Sequence, residues 1–182
     1  MLSPVSRRLL QHVLADQPFR PLLDSAQRPA HQSEWRTFVS EMTARPPATL
    51  EEASRFHDHW HVAHHYLREL VDDEPAVLAM LRVWLPPYDG PDLTLYRGEN
   101  AHRFEAGRLG IAWTREIDKA RMFASGLNAR GSGGALLRCL APSAAIIASP
   151  SQHSQHIQEG EFTLDPRGLL NVQVLERHPP VF

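Results

Sequence analysis

The chain changes its hydrophobic period once, near Pro91. Up to that point apolar residues recur at helical spacing, and beyond it the texture turns strand-like, beginning with the alternating "LTLYRG". Helices followed by strands describe an α+β fold, because a parallel α/β sheet would need the two interleaved. The first half predicts four helices. "PVSRRLLQHVLADQ" sets Val5, Leu9 and Val13 on one stripe with Leu10 and Leu14 beside it. "HQSEWRTFVSEMTAR" gathers Trp35, Phe38, Val39 and Met42, with Ser33 as its cap. The prolines of "RPPATL" stop that helix. Thr49 then caps a third, with Glu51 and Glu52 in the first turn, where carboxylates suit the helix dipole, and it runs on to "HHYLRELVDD". "PAVLAMLRVWL" is the fourth and closes at "PPYDGPD".

The second half predicts strands at "LTLYRG", "GIAWT", "GGALLRCLAP", "AAIIAS", "EFTLDP" and "LNVQVLER". A short helix falls at "EIDKARMFASG", and "PSQHSQHIQEG" is a polar loop. No internal repeat is present. The expected organisation is a helical region over 1–90 and a β-rich region over 91–182, together one compact domain. At 182 residues a folded chain buries about 70% of its unfolded surface, enough for a proper core.

Charge narrows the function classes. Lys+Arg 19 against Asp+Glu 21 gives −2, so no strong basic field favours generic nucleic-acid or membrane adhesion, although a local patch is compatible with that total. The single cysteine, Cys139, lies in the apolar run "ALLRCLAP" and is expected as a small buried hydrophobe. No disulfide can form within the chain, which agrees with a reducing compartment. The N-terminal stretch lacks the long apolar core of a secretory signal, and no window approaches the ~20 apolar residues of a membrane span. The expected location is cytoplasmic, with no membrane contact.

Several short motifs carry chemistry. In "LYRG", Arg97 offers a rigid fork of donors for phosphate or ribose oxygens, or closes an ion pair with Glu99 or Asp92. Gly98 lets the backbone leave the strand without a Cβ clash. In "EGEFTLDP", Glu159 and Glu161 share a face if the strand starts at Glu159. If it starts at Glu161, the second is fixed and the first hangs from the preceding loop. Alone, the pair reads equally as an acidic start to a solvated strand. "HDHWHVAHH" places His57, His61, His64 and His65 near one helix face, but without an HExxH pattern or a cysteine they read as a polar face or as packing near Trp60. His153 and His156 read as a loop tip. "GSGG", Gly131 to Gly134, is a turn before a strand and lacks the lysine of a phosphate loop. No metal site is expected.

Taken in order, "LYRG", "GIAWT", "ARMFASG" and "EGE" resemble the mono-ADP-ribosyltransferase family, in the Arg–Ser/Thr–Glu branch that includes cholera-toxin-like and binary-toxin-like enzymes. The resemblance spans roughly Leu93 to Leu175 and implies a split, mainly antiparallel β core with the helical half packed on it. It implies NAD as substrate, gripped by Arg97 beside Gly98. Ala112, Trp113 and Thr114 match the family's Ser-Thr-Ser strand; only Thr114 keeps a hydroxyl, and Ala112 departs from the usual serine. Trp113 also reads as a core aromatic. In the helix motif, Phe123 is implied to stack near the cationic nicotinamide ring, or packs on the sheet, and Arg121 is expected to face solvent. Glu161 matches the glutamate that ends the family's motif, where a carboxylate stabilises the oxocarbenium-like ribose formed as the nicotinamide bond breaks. Glu159 matches the acceptor-facing position, where a glutamate is associated with arginine acceptors and can help remove the proton.

The implied activity is transfer of ADP-ribose from NAD to a protein or nucleic-acid acceptor, with catalytic Glu161, Glu159 and Arg97 and without a metal. An inhibitory partner protein is among the expected partners. Two rivals stand beside it. One is NAD glycohydrolysis, in which water replaces the acceptor and Glu159 matters less. The other is a catalytically inert, partner-binding protein of the same fold, which Ala112 favours.

Overall fold

Capping chemistry sets the helix boundaries of the N-terminal half. The computed structural model describes residues 4–14 and 32–182, with the side chains of 5, 12–14, 32 and 62–67 outside the description. The helices are α1 (Pro4–Leu14), α2 (Gln32–Thr43), α3 (Leu50–Val71) and α4 (Glu74–Trp84). Thr49 caps α3, its side chain accepting the Glu52 amide at 3.1 Å. Asp72 ends α3 in the left-handed region (φ 49), and Asp73 caps α4 by accepting the Ala76 amide at 3.1 Å. Ser33 does not cap α2: it lies inside the first turn, because the helix begins one residue earlier. Of the α1 stripe, Leu9 and Leu10 are buried, while the side chains of Val5, Val13 and Leu14 fall outside the description.

Tryptophans and phenylalanines hold the helices together. Trp35, Phe38, Val39 and Met42 are all buried, as the period predicts, and Phe56 stacks with Trp60 (6.2 Å between centroids) and leans on Trp84 (5.0 Å). Such aromatic pairs add about 0.5–1.5 kcal/mol beyond the area they bury. The Trp84 indole donates to the Met42 carbonyl at 2.7 Å, so a buried N–H is satisfied between α2 and α4.

The chain divides into two compact units, one of residues up to Pro86 with Ser151–His153, the other of Pro87–Pro150 with Ser154–Phe182. The second carries a six-stranded antiparallel sheet. Its strands are β1 (Leu93–Asn100), β2 (Ala112–Thr114), β3 (Gly134–Ala141), β4 (Ile146–Ala148), β5 (Glu161–Leu164) and β6 (Leu170–His178), in the order β4-β5-β2-β1-β3-β6. Short helices α5 (Ala101–Glu105), α6 (Ile117–Ser125) and α7 (Gln152–His156) interrupt them. The sequence reading misses α5 altogether and takes α7 for loop. β1 pairs with β3 along its whole length, whereas β1 and β2 share the single pair Tyr96–Thr114. The sheet is therefore two triplets, β4-β5-β2 and β1-β3-β6, narrowly joined.

Alternation sorts the side chains onto two faces. Leu93, Leu95, Trp113, Leu137, Cys139, Phe162 and Leu164 form the core on one face, with Phe104 and Leu109 packed against it. On the other face Ala120 and Ala124 of α6 pack on Leu136, with Tyr96 and Ile117 at the margin. The protein is thus α+β with an antiparallel sheet. Among the described residues no helix is long and apolar enough to cross a membrane.

Candidate active site

Strand β5 begins at Glu161, so Glu161 belongs to the ladder and Glu159 to the loop before it. Gly160, between them, is left-handed (φ 57), a conformation that costs other residues about 1–2 kcal/mol. The two carboxylates therefore do not share one extended face. Ser154 on α7 fastens the segment. Its carbonyl accepts the Glu159 amide at 3.0 Å and the Gly160 amide at 3.4 Å, and its hydroxyl accepts the Glu161 amide at 2.8 Å. Ser154 is fully buried. The polar spacing of "HSQH" gives no sign of this role in the sequence, since the signal lies in the fold around it.

Glu161 stands directly opposite Thr114, which in turn stands opposite Tyr96, so the three form a row on one face across β5, β2 and β1. The Thr114 hydroxyl accepts the Glu116 amide at 3.1 Å, just before α6 begins. Ala112 lies in the same strand opposite Thr163. Trp113 points the other way. It is 1% exposed within the core, and its indole donates to the Gly110 carbonyl at 2.9 Å. Trp113 is therefore packing in the hydrophobic core, on the face away from Thr114 and Glu161. Phe123 is half-buried on α6.

Arg97 lies on the core-side face of β1, and its guanidinium is engaged within the protein. Nε donates to Glu99 at 2.7 Å and Nη1 to the Ala112 carbonyl at 2.6 Å. The second of these crosses from β1 to β2 beyond the Tyr96–Thr114 pair, so a side chain replaces a ladder bond where the strands part. The ion pair with Glu99 is the alternative already open in the sequence, and Asp92 instead accepts the Ser143 amide at 2.8 Å. The Glu99 side chain is 2% exposed, and its carboxylate also accepts the Gly110 amide (2.7 Å) and the Asn100 amide (3.0 Å). Burial alone would raise its pKa. The Arg97 charge and hydrogen bond, with the two amides, outweigh that and hold the carboxyl below its ordinary value. Glu99 is absent from the sequence-derived site, although its i, i+2 spacing from Arg97 on a strand is the signal that finds it.

Gly98 is not at a strand exit. β1 continues through Glu99 and Asn100, and a Cβ at Gly98 would lie 2.3 Å from the Ala124 nitrogen and 2.4 Å from the Ala120 oxygen. The missing side chain admits α6 onto the sheet. Arg121 does not face solvent alone: its guanidinium grips Glu176 on β6 with three contacts of 2.9–3.0 Å and also pairs with Asp118. Of the histidine group, His57 is buried, the His61 ring lies 5.6 Å from that of His153, and the side chains of His64 and His65 fall outside the description. The structure thus sets Thr114 and Glu161 together and Arg97 with Glu99 on the opposite face at the parting of β1 and β2. No family model, no curated protein and no solved structure matches the chain.

Proposed function

We propose that the chain transfers ADP-ribose from NAD to a macromolecular acceptor, releasing nicotinamide, on a split β core of ADP-ribosyltransferase type. The observation that carries this reading is the separate anchoring of the two carboxylates. Glu161 is fixed in the β5 ladder opposite Thr114, while Glu159 sits before a left-handed glycine in the Ser154-bonded loop. A ladder-fixed carboxylate suits a developing ribose cation, since preorganised charge needs no rearrangement as the bond breaks. The bond between C1′ of the ribose and the nicotinamide nitrogen cleaves, and nicotinamide leaves with the bonding pair. The acceptor's lone pair forms the new bond at C1′, and its proton passes to Glu159. Arg97 keeps donors for a phosphate after its bonds to Glu99 and Ala112. A substrate touching both Arg97 and Glu161 must lie where β1 and β2 part, because alternation puts those side chains on opposite faces.

A second reading has its own observation. The Arg97–Glu99 pair is largely buried and ties β1 to the Gly110–Ala112 segment, as a purely structural clamp would. With alanine at position 112, this favours an inert, partner-binding protein of the same fold.

One experiment separates the readings: labelled NAD with a cell lysate, following nicotinamide release and label in protein, nucleic acid or free ADP-ribose. Transfer predicts both signals, hydrolysis only the first, and an inert fold neither. Glu161→Gln should lower both by about 10²–10³, and Glu159→Gln should suppress transfer while sparing hydrolysis. Wild-type protein that releases no nicotinamide, or Glu161→Gln at wild-type rate, refutes the assignment.

A further inference from the structure

We propose that His61 of α3 and His153 of α7 form a binding site for one zinc-class divalent ion, with Asp58 as the positioning residue that holds His153 in place. The sequence reads the α3 histidines as a polar face and His153 as a loop tip, and folding brings one of each together. The two imidazole rings lie 5.6 Å apart between centroids and are tilted by 60°. Both residues are half-buried, so the pair is backed by protein and still reached by solvent.

Coordination geometry identifies the ligand. A zinc–imidazole bond of about 2.0–2.1 Å puts the ring centre about 3.2 Å from the ion, and two such rings at a tetrahedral angle have centres about 5.2 Å apart. The observed 5.6 Å corresponds to a slightly wider angle. The tilt fits neither a parallel stack nor an edge-to-face pair, whereas ligands converging on one ion take any mutual tilt. Neutral imidazole suits zinc, copper and nickel, and magnesium and calcium instead take oxygen shells. Two protein nitrogens leave the remaining positions of a tetrahedral ion to water, as in an open site.

Asp58 makes the pair rigid. It stands three residues before His61 on α3, hence on the same helix face. Its Oδ1 accepts the His153 amide at 2.9 Å, so the helix that carries one ligand fixes the backbone of the other. Asp58 Oδ2 has no partner among the described residues, and its carboxylate places negative charge beside an incoming cation. None of these three residues takes part in the transfer proposed above, and the site does not rest on that reading.

The test is calorimetric titration of the full, untagged chain with zinc chloride after stripping with a chelator, beside melting temperatures in zinc and in chelator. The wild type should bind zinc at one site and melt higher in zinc than in chelator, because an ion held only by the folded state stabilises it. Even a group behind a metal ligand is worth about 10–100-fold in affinity. Asp58→Ala should therefore weaken binding about tenfold, and His61→Gln and His153→Gln should each weaken it at least as much and abolish the melting shift. Their melting in chelator should match wild type, which marks the loss as one of binding. His153→Cys, which keeps a metal-ligating atom, should retain more affinity than His153→Gln. Asp58→Asn still accepts the His153 amide and should lose less than Asp58→Ala; equal losses refute the positioning role. His64→Gln combined with His65→Gln, on the same helix, is the control and should leave binding as it was. A wild type that takes up no zinc, or an affinity that survives both His61→Gln and His153→Gln, overturns the site. Zinc lost with the His64 and His65 changes but kept in His153→Gln puts the ion on α3 alone and overturns it equally.

Discussion

Gly98→Ala should cost the protein about 3 kcal/mol, and the reason lies in the packing of α6. The added Cβ would sit 2.3 Å from the Ala124 nitrogen, 2.4 Å from the Ala120 oxygen and 2.9 Å from Ala124 Cα. Ordinary contacts between such atoms fall at about 3.5–4.0 Å, so the helix must withdraw by roughly 1 Å. Overpacking usually costs about 1–3 kcal/mol. Here the obstructing atoms are backbone, which no rotamer change can move, so the upper end applies. Withdrawal would also open the same contact at Gly134, whose Cβ position is likewise filled by Ala124. For a cooperative unit of about 60–100 residues, 1 kcal/mol shifts Tm by about 4–8 °C, so a drop of more than ~10 °C is expected. Thermal and urea unfolding of the full chain would measure it. Gly107→Ala is the control: its φ is 69 but nothing lies within 4 Å, so only the left-handed cost of about 1–2 kcal/mol should appear. Gly98→Ala within about 0.5 kcal/mol of wild type would refute this account of the helix–sheet contact.

Three further outcomes are expected. Because the folded protein holds Glu99 below its ordinary pKa, that group stabilises the fold fully above the ordinary carboxyl range, near pH 4.3, and the contribution is lost as pH falls through the lowered value. The stability difference between wild type and Glu99→Gln, from urea titrations, should shrink on acidification below about pH 5; a constant difference down to pH 2 would count against the pair. Burial pushes the Cys139 thiol up to about 12, so it should resist thiol reagents at pH 8 until denaturant is added, and rapid labelling of the native protein would contradict its place in the core. Ser154→Ala leaves the Glu161 amide without its hydroxyl partner and should cost about 1–3 kcal/mol. It should also lower any nicotinamide release through kcat more than KM, which steady-state kinetics would decide.

Local chemistry was most legible where it acts within a few residues. Thr49 as a cap and the buried set of Trp35, Phe38, Val39 and Met42 follow from local sequence alone, and all six strands fall within the segments that read as strand-like. The α+β class followed from the same change of period. The failures share a cause. Ser154, Gly98 and Arg121 take their roles from partners far along the chain: the Glu159–Glu161 loop, α6 and Glu176. No periodicity encodes such pairings. At the candidate site, the start of β5 at Glu161 was one of two readings the sequence allowed, and the left-handed Gly160 decides between them. That Arg97 and Glu161 project from opposite faces follows from strand register, which a single sequence does not disclose.

The sheet's narrow waist decides what couples its two triplets. Its two triplets meet through the pair Tyr96–Thr114 and the reach of Arg97 to the Ala112 carbonyl, while Leu95, Leu137, Trp113 and Phe162 share one core across the divide. Side-chain packing, more than a hydrogen-bonded ladder, therefore couples the halves. That close-packed core transmits strain between the triplets, whereas the few bonds across the waist leave each triplet's ladder to open largely by itself. Native-state hydrogen exchange should then sort the amides into two populations, with those of β1 and β3 opening by a different event from those of β2 and β5.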